Sequence, residues 1–416
     1  MPYLVPPPPD SAFGTTHPLA TFPTPLIAGR YTLRAPDGAA LPPLRDATEE
    51  MTIKPLGGGG FSTVVRAVDT LDLPRAIKFL DPPVLCLRTD GTDLFRQEIA
   101  LTTRVPLKHT LPILDFHHAQ DFTTRQFYFY VMPYVHGYPL GRLFTELLRQ
   151  HSATLHAYPA SRALMRDLLL VLVNDVLSAV IELQALRIVH MDLSINNIMV
   201  QLPTSTSLAD LRSVVESSRA FVIDLGAAKA PFDAPHGGRT LLIRNTAFFP
   251  MELLGSSDLG FDGTDSTIDY AKLRSWWRLI DLYCFGRIVE ALLLNRVGRH
   301  PRFVATGDAP SREATKQLLW QSILGDDFAV FQTVTDRLIN IRQPYYSSAA
   351  ELREVFAGMT LASARDAGRS DLLTDRYRGL RLRTGRTLVK VAAPLRFVVD
   401  HPVFQRLKRL SPDLLT

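Results

Sequence analysis

His190-Met191-Asp192-Leu193-Ser194-Ile195-Asn196-Asn197 lies between an apolar segment before it and the apolar Ile198-Met199-Val200 after it. An acidic side chain and a carboxamide five positions apart, on a loop held at both ends by buried strands, suit a site that orients a hydroxyl and holds a metal. Alone the pattern carries little. Its weight depends on phosphate-cradling residues before it and a second metal-binding carboxylate after it, in that order.

Upstream, Met51-Thr-Ile-Lys-Pro-Leu56 reads as a strand, Gly57-Gly58-Gly59-Gly60-Phe61-Ser62 as a loop, and Thr63 to Val68 as a returning strand rich in β-branched residues. Glycines let backbone N–H groups approach phosphate oxygens that side chains would keep away. A dinucleotide fold would need a helix directly after the loop, whereas Thr63 onward reads as strand. Arg75-Ala76-Ile77-Lys78-Phe79-Leu80 then places a lysine inside an apolar strand, where it needs a carboxylate or a phosphate if it points inward. Leu94 to Leu101 has helical spacing and offers Glu98. Phe127 to Met132 is a further strand, and Pro133-Tyr134-Val135-His136-Gly137 has turn chemistry. Apolar residues at helical spacing follow over Leu140–Arg149 and Ala160–Ala185. Downstream of the opening loop come a polar insertion, Gln201 to Arg219, and a strand, Ala220 to Ile223, that delivers Asp224-Leu225-Gly226. A carboxylate at a strand end followed by glycine can hold a divalent cation against phosphates.

Taken in order, these elements resemble the protein kinase family over about Met51 to Thr360. The resemblance implies an α+β, two-lobed protein-kinase-like fold: a small antiparallel β-sheet N-lobe with one helix over 51–132, a hinge at 133–137, and a mainly α-helical C-lobe over 138–360. It implies ATP contacts from Leu56, Gly57, Gly58, Gly59, Gly60, Phe61, Ser62 and Val64 in the glycine-rich loop, with Ser62 where the third glycine would stand. Ala76, Lys78 and its helix partner Glu98, and the hinge residues Met132, Pro133, Tyr134 and Val135 complete that set. Asp192 matches the catalytic base, and Asn197 and Asp224 match the Mg²⁺ ligands. The implied reaction is transfer of the γ-phosphate of ATP to serine or threonine of a protein. Thr246, where serine/threonine kinases keep a threonine, favours that acceptor over tyrosine. Asp281 resembles the central-helix aspartate that supports the catalytic loop, and Arg342 would pair with Glu252. Two alternatives remain: a kinase-like phosphotransferase on a small-molecule hydroxyl, and a pseudokinase-type nucleotide-binding or scaffold module.

The chain departs from the family pattern at four places. Met191 stands where many relatives have an arginine that receives an activation-segment phosphate, and Ser194 where serine/threonine kinases have a lysine. Leu225 replaces phenylalanine in the metal-binding turn, and Pro250-Met251-Glu252 replaces Ala-Pro-Glu.

Composition bounds the rest. A chain of 416 residues, 46% hydrophobic and 21% charged, can bury a sizeable core and suggests two or three domain-sized units. Its only cysteines, Cys86 and Cys284, form no metal or disulfide pattern, which points to a reducing, cytoplasmic compartment. Pro6 to Pro9 interrupt the start, so a secretory signal is not expected. The apolar stretches Ala163–Ile181 and Leu279–Leu294 are broken by charges and read as buried helices, not spans. Eleven of the 30 prolines fall in Met1–Glu50, predicting an extended linker apart from a small hairpin over Tyr31–Leu44 turned at Asp37-Gly38. Residues 361–416 hold twelve Lys or Arg against five Asp or Glu. This reads as a solvated basic segment, with contact to nucleic acid or an anionic surface as the second option.

Overall fold

The computed structural model describes residues 20–22, 26–27, 29–41, 51–59, 62–80, 91–104, 108–120, 126–234, 238–242, 247–250, 253, 266–294, 309–340, 344–357 and 359. Gly60, Phe61, Cys86, Thr246, Met251, Glu252, Arg342 and the segment 361–416, all named above, lie outside the described residues. The chain divides into two units, one within Met1–Thr103 and Leu111–Val135, the other within Arg104–Thr110 and His136–Thr416. The architecture is α+β, with antiparallel strand pairing throughout the first unit and mostly helix in the second.

The first unit contains β1 (Ala20–Phe22), β2 (Leu26–Ile27), β3 (Tyr31–Arg34), β4 (Met51–Ile53), β5 (Gly57–Gly59), β6 (Ser62–Val68), β7 (Pro74–Leu80), α1 (Gly91–Arg104), β8 (Asp115–Gln120) and β9 (Gln126–Pro133). Strands β2-β3-β6-β7-β9-β8 form one antiparallel sheet, with β5 also paired to β6. Side chains alternate across a pleated sheet, so directly opposed residues share a face. Val65, Ala67, Ile77, Phe79, Phe129 and Val131 fall on one face and make a core with Tyr31, Leu33 and Ile53. Val64, Arg66, Ala76, Lys78, Tyr130 and Met132 fall on the other.

Two expectations are corrected here. Within the stretch expected to be mostly linker, Ala20–Phe22 and Leu26–Ile27 are strands, and β3, inside the expected hairpin, pairs with the Arg66–Val68 half of the β6 edge whose Ser62–Val64 half is taken by β5. Tyr31 and Leu33 place period-two apolar side chains in the core, only 8% and 1% exposed. Of the hairpin expected over Tyr31–Leu44, residues 42–44 lie outside the described residues, and the described part has one antiparallel bridge, Arg34 to Ala40, closed by Gly38 N donating to Ala35 O at 2.8 Å. The second correction concerns Met51–Leu56, where the strand stops at Ile53 and pairs with β1, because Pro55 has no N–H to extend a ladder. Pairing resumes when Leu56 N donates to Val64 O at 2.7 Å, so Gly57–Gly59 are strand instead of loop.

The second unit comprises β10 (Gly137–Pro139), α2 (Leu140–Ala157), α3 (Pro159–Ala185), β11 (Ile198–Gln201), α4 (Leu211–Ser217), β12 (Arg219–Val222), β13 (Arg239–Leu242), β14 (Ser266–Asp269), α5 (Tyr270–Leu294), α6 (Ala309–Leu324), α7 (Asp327–Ile339) and α8 (Ala349–Ala357). Pro159 starts α3 at a position where its missing N–H leaves no helical bond unmade. Among the described residues, α3 is the one helix long and apolar enough to cross a membrane, yet 83% of its most apolar window is buried inside the protein. Its polar residues have partners there. Asp175 Oδ2 accepts from Ala220 N at 2.9 Å, and Arg166 Nη1 meets Asp167 Oδ1 at 3.2 Å. Helices α5 and α7 approach closely at Gly286, where a Cβ would lie 2.7 Å from Leu338 Cβ. Cys284, in the same stretch of α5, is buried, and burial pushes its thiol well above the usual range.

Candidate active site

In the first unit, the inward-facing lysine finds a carboxylate. Lys78 and Glu98 are 4% and 3% exposed, and Lys78 Nζ stands 2.9 Å from Glu98 Oε1. Tyr130, opposite Lys78 on β9, donates its hydroxyl to the same Oε1 at 2.6 Å, while Nζ lies 5.6 Å from the Tyr130 ring centroid. Glu98 therefore receives both a charge-assisted and a phenolic hydrogen bond. Around this pair, the Lys78 face carries Val64 directly opposite on β6, and Ala76 with Met132 one row along. Ser62 stands opposite Leu80 and Gly59, and Gly57 opposite Val64. Met132, Pro133, Tyr134 and Val135 are half-buried, and Leu56 is exposed.

In the second unit, the opening loop is held from several sides. Asp281 of α5, fully buried, accepts from His190 N at 3.0 and 3.1 Å and from Met191 N at 3.4 Å. The expected support of the loop by this aspartate is thus a direct contact. Burial pushes its carboxyl up to about 7, against the two backbone donors that favour the charged form. His190 Nδ1 accepts from Asp192 N at 3.3 Å, so Nε2 carries the proton and faces Ile223 O at 3.2 Å. The ring ties the Asp192 backbone to the strand end that precedes Asp224. Asn197 ends a single 3-10 turn, Ile195–Asn197, and its Nδ2 donates to both Asp192 O and Asp192 Oδ2 at 2.8 Å. Strands β11 and β12 pair, and Ile223 N donates to Asn197 O at 2.9 Å, so Asn197 and Asp224 lie at adjoining strand ends. Asp224 Oδ1 accepts from Gly226 N at 3.1 Å.

Two of the four non-glycine residues with positive φ among the described residues lie here. Met191 and Asp224 have φ of 68 and 65, a left-handed conformation that non-glycine residues adopt at a cost of order 1–3 kcal/mol. The Met191 side chain is buried in the apolar core, where an arginine could not reach outward as in the family pattern. Ser194 and Leu225 are buried as well. Beyond Asp224, Lys229 pairs backbone to backbone with Val189 at 2.8 Å in both directions. Its buried ammonium is pushed down to about 8.

No protein-family model matches the sequence, and no curated protein sequence matches it with significance.

Asp192, Asn197 and Asp224 come together within the second unit, and Lys78, Glu98, Ala76, Val64 and Met132 within the first. Three contributors were not read from sequence as site residues. Tyr130 was legible only as part of an aromatic strand, since its place beside Lys78 depends on the β7–β9 register. The tying role of His190 and the left-handed turn at Met191 need the folded loop. Among the described residues, no group of three or more His, Cys, Asp or Glu could hold a metal ion. The donor set still fits Mg²⁺, which takes one or two protein oxygens and fills its shell with phosphate and water. Asn197 spends its amide N–H groups on Asp192, which leaves Oδ1, and Asp224 adds a carboxylate.

Proposed function

We propose that this chain is a phosphotransferase with a two-lobed protein-kinase-like fold that moves the γ-phosphate of ATP to a serine or threonine hydroxyl of a protein. The observation that carries this reading is the buried Lys78–Glu98 ion pair, because a strand lysine held ready beside a helix carboxylate suits a cation that must meet nucleotide phosphates. The Asp281-anchored loop supports it independently, by presenting Asp192 and Asn197 on a fixed backbone.

In this mechanism Lys78 holds the α- and β-phosphates, with Glu98 and Tyr130 fixing its direction. The glycine-rich stretch that begins at Gly57 would bring backbone N–H groups to the phosphates, and Met132 to Val135 would meet the adenine beside Ala76 and Val64. Asp192 orients the acceptor hydroxyl and takes its proton late, while its contact to Asn197 keeps the carboxylate turned. Mg²⁺ held by Asp224 and Asn197 would neutralise charge on the phosphate oxygens. Met191, packed in the core, argues that the loop is held without a phosphate from the activation segment.

The test is a radiolabel assay with Mg-ATP on the purified 416-residue chain, using mass spectrometry to locate the sites. Wild type is expected to label itself or a protein on serine or threonine, and Lys78→Met and Asp224→Ala to lose that label. Label found only in a small-molecule hydroxyl would move the assignment to a metabolite phosphotransferase. No label at all from an intact fold would refute transfer, and nucleotide binding unchanged in Asp192→Ala would then indicate a binding module.

A further inference from the structure

Arg66 stands on the same sheet face as Lys78, directly opposite Ala76, which is itself opposite Met132. A charged side chain in this row has no place in the mechanism above. Its guanidinium lies 4.4 Å from the centroid of the Tyr134 ring, within the segment assigned to the base. On its other side Nη1 donates to Pro36 O at 3.0 Å, in the turn of the N-terminal hairpin. Gly38, at φ 93, closes against the same group: a Cβ there would come within 2.7 Å of Arg66 Cζ and Nη2. The Nε of Arg66 is buried and has no hydrogen-bond partner among the described residues. An unsatisfied buried donor is unfavourable, so the turn and the ring hold the guanidinium where it would not rest alone.

We infer that Arg66 is a positioning residue for the nucleotide base, coupling the docked N-terminal hairpin to ATP affinity. This rests on the nucleotide-binding reading of Lys78 and Met132–Val135. With the hairpin docked, the Pro36 carbonyl and the Gly38 backbone press the guanidinium onto Tyr134 and order the backbone from Met132 to Val135. With the hairpin displaced, Arg66 is released on the Ala76 side of the sheet and Tyr134 loses its stacking partner. The N-terminal segment thereby becomes a control element for the base end of the site, through contacts that all lie within one unit.

The experiment compares full-length wild type, Arg66→Ala, Arg66→Lys and Gly38→Ala by binding of fluorescent Mg-ATP, by thermal unfolding, and by hydrogen exchange of the ligand-free protein. Arg66→Ala is expected to raise the Kd about tenfold, the scale of one partly buried cation–π contact. Arg66→Lys keeps the charge but loses the planar stack, and is expected to follow it. Gly38→Ala acts from the far side of Arg66 and is expected to weaken binding in the same direction, with faster exchange at Met132–Val135 in all three variants. Lower thermal stability with an unchanged Kd and unchanged exchange at those amides would overturn the inference and leave Arg66 a purely structural residue. If wild type itself binds no nucleotide, the functional reading fails. The exchange result then separately decides whether Arg66 and the turn order Met132–Val135.

Discussion

Replacing Glu98 by alanine tests the centre of the first unit most directly. Lys78 and Glu98 are almost fully buried, and Tyr130 donates to the same carboxylate oxygen as Lys78. Glu98→Ala takes from Lys78 the carboxylate 2.9 Å from its ammonium, and removing one member of a buried ion pair typically costs about 3–5 kcal/mol. The 2.6 Å hydrogen bond from the Tyr130 hydroxyl to Glu98 is lost in the same step, which adds roughly 1 kcal/mol, not fully additively. Against a total stability of about 5–15 kcal/mol, Glu98→Ala should lower the midpoint of urea unfolding by roughly a quarter or more. The double variant Lys78→Met, Glu98→Leu removes both charges and fills the space with apolar groups. It should recover to within about 1 kcal/mol of wild type, since apolar replacement of a whole buried pair is often neutral or better. The assay is equilibrium unfolding followed by circular dichroism, with the slope on denaturant checked for constancy. Mg-ATP should stabilise Glu98→Ala and fail to stabilise the double variant, which has no cation for the phosphates. A Glu98→Ala variant within about 1 kcal/mol of wild type, or a double variant as unstable as the single one, would refute the reasoning.

Leu33→Ala should destabilise the first unit by about 2–5 kcal/mol in the same unfolding assay, because Leu33 lies in the sheet core; a loss under about 0.5 kcal/mol would mean the N-terminal strand is dispensable. Asp281 has its folded pKa raised to about 7, so its contribution to stability is full below the ordinary carboxylate value of 3.8 and is lost as pH rises toward 7. Asp281→Asn removes that titration, and the stability of wild type relative to the variant should fall by roughly 4 kcal/mol across this window. Parallel pH slopes for the two proteins in urea melts would contradict the shift.

Much of the order along the chain was legible. The strand of Lys78, the helix of Glu98, the long apolar helix ending at Ala185 and the strand leading to Asp224 follow from periodicity, because burial on one face repeats every 2 or every 3.6 residues. The division between the units falls after Val135, inside the stretch of turn chemistry from Pro133 to Gly137. Proline density points to linker at Ala20–Phe22 and Leu26–Ile27, which are strands, while the hairpin expected over Tyr31–Leu44 covers the four alternating residues of β3, Tyr31–Arg34. Whether that strand has a partner depends on β6, more than thirty residues away.

What the sequence determined by itself was the kinds of chemistry present and their spacing around His190–Asn197: a carboxylate, a carboxamide, and a second carboxylate at the next strand end. Tertiary structure alone decided which groups meet. Asp281 reaches the His190 and Met191 amides from 91 and 90 residues away, and Tyr130 reaches Glu98 across a sheet register. Such long-range contacts leave no local period in the chain, because they are set by how buried faces pack and not by the propensity of any one segment.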